Sequence, residues 1–136
     1  MRLATLTATL LCALALPLTA GDMAVETQAK FLKLFATSTG VGKVACSDGP
    51  LKAALQAQGV VIDDSSPIIY CSNPMQAKMA KASNKLVVTG SRAFMNMVCI
   101  VLEEADGRPK IILNTSNLHT SKVQLSDAVL KMAEKM

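Results

Sequence analysis

The fold class this sequence predicts is α/β: a single compact domain with a mixed, mostly parallel sheet, helices packed on the sheet and a C-terminal β-hairpin. Three observations predict it. Short apolar runs alternate with amphipathic segments from residue 25 to residue 89, and such alternation favours parallel strands joined by helices. Two β-branched runs then meet across "EEADGR", where Asp106-Gly107 is a strong hairpin signal. Finally, no internal repeat, low-complexity tract or linker divides the chain.

The elements follow in order. "DMAVETQAKFLKLFATSTG" sets Val25, Ala29, Leu32 and Ala36 at helical spacing, with Phe31, Leu34 and Phe35 widening the stripe and Gly40 and Gly42 as the stop. "GKVACS" has strand character. "DGPLKAALQAQG" reads as a helix with Pro50 near its first position and Gly59 just past its end. "VVIDDSSPIIYCS" gives one or two brief strands around a turn at Asp63–Pro67. "NPMQAKMAKAS" repeats the start pattern, with Asn73 as cap and Pro74 in the first turn. "NKLVVTGS" is a further strand, followed by the hairpin. "SKVQLSDAVLKMAEKM" places Val123, Ala128, Leu130, Met132 and Ala133 on a closing helix, for which Ser121 and Gln124 form a candidate capping box.

A leader precedes these elements. "MRLATLTATLLCALALPLTA" has one positive charge at Arg2, an apolar middle and a small-residue exit at Thr19 and Ala20, the pattern of a secretory signal peptide. Residues 1–20 are therefore expected to be a cleaved signal peptide and 21–136 the domain, which places the protein in the periplasm. The apolar run is shorter than the ~20 residues a bilayer span needs.

The net charge of the whole chain is +4, to which Arg2 contributes one. Lys30, Lys33, Lys43, Lys52, Lys78, Lys81 and Lys85 are scattered, and there is no Trp and one Tyr. A nucleic-acid reader would show a basic stripe with stacking aromatics, so no nucleic-acid partner is expected. Beyond the leader lie Cys46, Cys71 and Cys99, with no CxxC, so three single pairings are open.

Catalytic candidates are few. His119 is the only histidine, and its nearest acid in sequence is Asp127, eight residues on. A working base needs an orienting partner, so His119 reads as a residue of an exposed connection. Ser116, Thr120 and Ser121 read as helix-entry residues. Asp63 and Asp64 suit a turn. Met75 and Met79, and Met95 and Met97, carry soft thioethers suited to Cu(I), but methionine at helical spacing usually fills core gaps. Neither GxGxxG nor a P-loop is present, and "VTGSRAF" offers only a Gly-Ser turn before a helical turn. No enzyme, cofactor or metal site is expected.

The order of elements resembles the YfiR-like family of small periplasmic proteins. The resemblance is carried by "FMNMVCIVLEEADGRPKIILNTSNLHTSKVQLSDAVLKMA": a strand, an acidic-Gly turn at Asp106-Gly107, a strand ending at Ile112-Leu113-Asn114, and a closing helix that opens on Leu125-Ser126 and continues with Val129-Leu130-Lys131. "KFLKLFAT", "KVACSDGPLKAALQAQG" and "KLVVTG" stand in the matching order, so the likeness covers most of residues 27–133. Thr37-Ser38-Thr39-Gly40 replaces an aromatic and Pro, and Met95-Asn96 replaces a Gly pair. The resemblance implies a non-enzymatic regulator that binds the periplasmic region of an inner-membrane diguanylate cyclase and lowers cyclic-di-GMP synthesis. An outer-membrane lipoprotein would relieve the inhibition, and disulfide state would affect the fold. A homodimer is compatible with this reading, and a periplasmic small-ligand or copper-binding carrier is the alternative. Among the cysteines, a Cys46–Cys71 bridge is expected because both follow apolar strands, with Cys99 a buried thiol.

Overall fold

The apolar stripe of the first helix determines which face of the sheet is covered first. Ala29, Leu32, Phe35 and Ala36 are wholly buried on helix α1 (Val25–Ser38), which follows a two-residue strand β1 (Gly21–Asp22). These assignments come from a computed structural model that describes residues 21–135, so the expected leader at residues 1–20 lies outside the described residues. Helix α1 ends where Gly40 and Gly42 take positive φ (78° and 71°), and the Gly42 N–H donates to the Ala36 carbonyl at 3.0 Å. Only glycine enters that region without strain.

Strand β2 (Lys43–Cys46) and helix α2 (Gly49–Ala57) come next, then two short strands, β3 (Val61–Ile62) and β4 (Ile68–Tyr70). Asp63 shapes the turn between those strands by accepting from the Ser65 N–H at 2.9 Å and the Ser65 hydroxyl at 2.7 Å. Those bonds, helped by Lys43, hold its carboxyl below the usual range. Helix α3 (Pro74–Ala82) leads to β5 (Leu86–Thr89) and a 3-10 helix (Arg92–Met97). Asn73 caps α3 as the sequence predicts, accepting from the Gln76 N–H at 2.8 Å, and Asp48 caps α2 by accepting from the Leu51 N–H at 3.1 Å.

Strands β6 (Ile100–Ala105) and β7 (Arg108–Leu113) form the hairpin, with both Asp106 and Gly107 at positive φ. Helices α4 (Thr115–Thr120) and α5 (Asp127–Met132) and strand β8 (Glu134–Lys135) complete the chain.

Among the described residues, eight strands form one sheet in the order β8-β7-β6-β5-β4-β2-β3, with β1 beside β6. Pairing is antiparallel for β6–β7 and β1–β6 and parallel elsewhere. The sheet is therefore mixed and mostly parallel, as the sequence predicts. Successive strand residues face opposite sides, and the burial follows. Leu86, Val88, Ile100, Leu102, Ile111 and Leu113 join Leu32, Phe35, Leu51 and Leu55 in a first core under α1, α2 and α5. Val87, Val101 and Ile112 join Ala77, Ala80 and Met95 in a second core under α3 and the 3-10 helix.

The closing helix differs from the residue-level expectation. The Ser121 hydroxyl accepts from the Val123 N–H at 3.0 Å in a local turn, so no capping box with Gln124 forms. The helix starts six residues later, with Ser126 accepting from the Val129 N–H. Val123 and Leu125 are buried in extended chain. Leu125 and Ser126 stand immediately before the helix.

Candidate functional site

The connections after β2 and β4 leave the sheet on opposite faces, because α2 packs in the first core and α3 in the second. Since β2 and β4 are neighbours, the chain parts there and leaves a crevice outside the carboxyl ends of the strands. Open α/β sheets bind ligands at such a switch point. The crevice has a volume of about 330 Å³. Asp48 reaches it from the end of β2, Tyr70 and Ser72 from β4, and Thr89, Gly90 and Ser91 from β5. Met23, Val25 and Gln28 close it from α1 and its approach, and Phe94 from the 3-10 helix.

Gly90 fixes how closely these groups approach. A Cβ there would lie 2.9 Å from the Tyr70 hydroxyl and 3.3 Å from Gln28 Nε2. Gln28 is a polar residue buried on the apolar stripe, and its Nε2 donates to the Met23 carbonyl at 2.8 Å. Thr89 is 1% exposed. Among the described residues, Asp48 is the one charged side chain in the lining. Arg92, next to Ser91, is committed elsewhere: it grips Glu103 through Nε at 3.1 Å and Nη2 at 2.6 Å. That pairing holds the nearly buried Glu103 carboxyl below its usual range, so Arg92 does not serve as an anion anchor for the crevice.

His119 is exposed on α4, in a short helix rather than the plain connection expected. It lines a separate cavity of about 380 Å³ with Asp127, Ser121, Gln124 and apolar side chains. Among the described residues no hydrogen bond or ion pair joins His119 to Asp127. Asn114 and Asn117 brace this region: Asn114 Nδ2 donates to the Met95 carbonyl at 2.9 Å, and Asn117 Nδ2 to the carbonyls of Val98 and Asn96 at 2.8 and 3.1 Å.

The methionines divide. Met95 fills the second core, but Met75 and Met79 are 72% and 67% exposed, which corrects the reading of that pair as core filler. Alanines 77 and 80 occupy the buried side of α3 instead. Among the described residues no group of three or more His, Cys, Asp or Glu could hold a metal ion.

The expected Cys46–Cys71 bridge is absent from the structure: Cys46, Cys71 and Cys99 are buried free thiols. The reason is register. Cys46 pairs with Tyr70, and both point into the first core; Cys71, one residue on, points into the second. A backbone layer separates the two thiols. Burial pushes all three thiols up, Cys71 to about 12.

The sequence reading did not pick out this crevice. It singled out "VTGSRAF" as a Gly-Ser turn before a helical turn, a weak signal for an anion, but nothing local joined that turn to Gln28, Asp48 and Tyr70. No protein-family model matches the chain, and no curated protein matches it. Among the described residues no helix is long and apolar enough to cross a membrane.

Proposed function

We propose that this chain is a YfiR-like regulator that works by binding rather than by catalysis, with the periplasmic region of an inner-membrane diguanylate cyclase as its partner and reduced cyclic-di-GMP synthesis as the outcome. The observation that carries the reading is the continuity of residues 94–133, the stretch that bears the resemblance. It folds as one braced unit: a hairpin turning at Asp106-Gly107, an Asn114-capped helix tied back to Met95, and a closing helix entered through Leu125-Ser126. Such a rigid unit suits a protein that presents a fixed surface to a partner. Crosslinking of the tagged, exported protein in cells, followed by mass spectrometry, tests it. Recovery of a membrane cyclase with a periplasmic region supports the assignment; recovery of nothing above a tag-only control removes it.

One observation favours a second reading, a copper carrier. Met75 and Met79 lie one turn apart on α3 with both side chains exposed, and thioethers suit Cu(I). Titration with Cu(I) decides: no stoichiometric binding, or binding unchanged when both are replaced by leucine, ends it.

A further inference from the structure

The crevice at the strand ends holds two buried polar atoms that no described residue satisfies. Among the described residues, the Thr89 hydroxyl has no hydrogen-bond partner, although Thr89 is 1% exposed. Gln28, 6% exposed, spends its Nε2 on the Met23 carbonyl and leaves Oε1 without a partner among the same residues. Both line the crevice. A buried polar group left unpaired is destabilising, and native structures rarely carry such groups without an occupant or a role.

The lining also says what the occupant must offer. Gln28 Oε1 can only accept. Asp48 accepts as well, and only one of its oxygens is taken, by the Leu51 N–H. The Ser72 and Ser91 hydroxyls can donate or accept. Among the described residues no lysine or arginine lines the space, and Asp48 would repel an anion. The occupant must therefore be rich in donors, able to accept as well, and not anionic. Met23, Val25, Tyr70 and Phe94 supply apolar and aromatic surface beside these groups, so the occupant also needs a C–H face. At about 330 Å³ the space is at the small end of ligand pockets.

We propose that this crevice is a binding site for a small, neutral, polyhydroxylated ring of monosaccharide size, held by Thr89, Gln28 and Asp48 and packed against Phe94. Hydroxyl groups meet the acceptor-rich lining, and the C–H face of the ring meets the aromatic side chain. Gly90 keeps the floor open, since a side chain there would press on Tyr70 and Gln28. The site stands apart from the cyclase assignment, because ligand binding is read on the isolated full chain with no partner present.

The test is saturation-transfer NMR on the full chain with glucose, galactose and mannose, and with glucose 6-phosphate and ethylammonium as charged probes. At least one neutral hexose is expected to receive saturation at millimolar concentration, and both charged probes none. Thr89→Val, isosteric but without the hydroxyl, is expected to weaken that binding about tenfold or more. Asp48→Asn, which keeps an acceptor and the helix cap, tests the charge: it is expected to admit glucose 6-phosphate and to retain the neutral sugar. Phe94→Leu should reduce saturation transfer without unfolding the chain, as circular dichroism checks. The proposal is overturned by no neutral hexose binding, which leaves a water-filled crevice. Ethylammonium or glucose 6-phosphate binding to the unsubstituted chain overturns it too, as does sugar binding that Thr89→Val leaves intact.

Discussion

The two faces of the sheet are covered by different means. On the first, large apolar side chains do the covering: Phe35, Leu32, Leu51 and Leu55 are all wholly buried against the strands. On the second, α3 approaches with Ala77 and Ala80, Met95 fills the remaining space, and an ion pair between Arg92 and Glu103 closes the end. Each large side chain buried on the first face contributes roughly 1.5–3 kcal/mol, whereas alanines contribute little transfer energy and serve mainly to let the helix come close. One face is held by bulk. The other is held by close approach and by charge, so the two should respond differently to truncation and to pH.

Phe35→Ala on the first face is expected to have the largest effect, a loss of about 3–5 kcal/mol in denaturant unfolding. A loss below ~1 kcal/mol would mean the first face is not held by bulk. Arg92→Ala comes next, with a smaller loss expected, because it leaves the Glu103 carboxylate nearly buried without its partner. The pH dependence gives this pair its own test. The Glu103 pKa is depressed in the folded state, so its contribution is present above the unfolded value of about 4.3 and is lost as pH falls through the lower folded value. Melting scans between pH 6 and about 3 should show a decline that Glu103→Gln flattens; equal slopes would show that the second face does not depend on the ion pair.

Cys71, also on the second face, works in the opposite direction. Its folded pKa is raised to about 12, so stability is fully present below the unfolded value of about 8.5 and falls by about 1.4 kcal/mol per pH unit above it. Cys71→Val should soften the alkaline decline. Asn114→Ala removes a helix cap and the tie to Met95, with about 0.5–2 kcal/mol expected. The smallest effect is expected for Met75→Leu with Met79→Leu, within about 0.5 kcal/mol, because both side chains lie in solvent on the outer side of α3. A larger loss would show that these methionines are covered after all.

Local chemistry was legible in the sequence. Pro50, and Asn73 with Pro74, announced two helix starts, Asp106-Gly107 announced the hairpin, and the Leu32–Phe35–Ala36 stripe announced the buried face of α1. What depends on pairing across the chain was not legible. The crevice joins the ends of β2, β4 and β5 to the start of α1, and no local spacing records that meeting. Met75 and Met79 were misread because alanines, not methionines, take the inner side of α3. Ser121 was misread as a cap because a serine two residues before a buried valine forms a turn of the same local appearance. The cysteine pairing failed by one residue of register, which reverses the face of every side chain in a strand.

That one-residue offset has a kinetic consequence. While the chain is unfolded, its thiols meet freely, and in any oxidising surroundings a bridge between positions 46 and 71 competes with folding. Once β2 pairs with β4, the sheet itself stands between the two sulfurs, and burial keeps each as an unreactive thiol. Sheet closure therefore acts as a race that the native fold must win early. A chain that loses it must first reopen the bridge by thiol–disulfide exchange before Cys46 can face Tyr70.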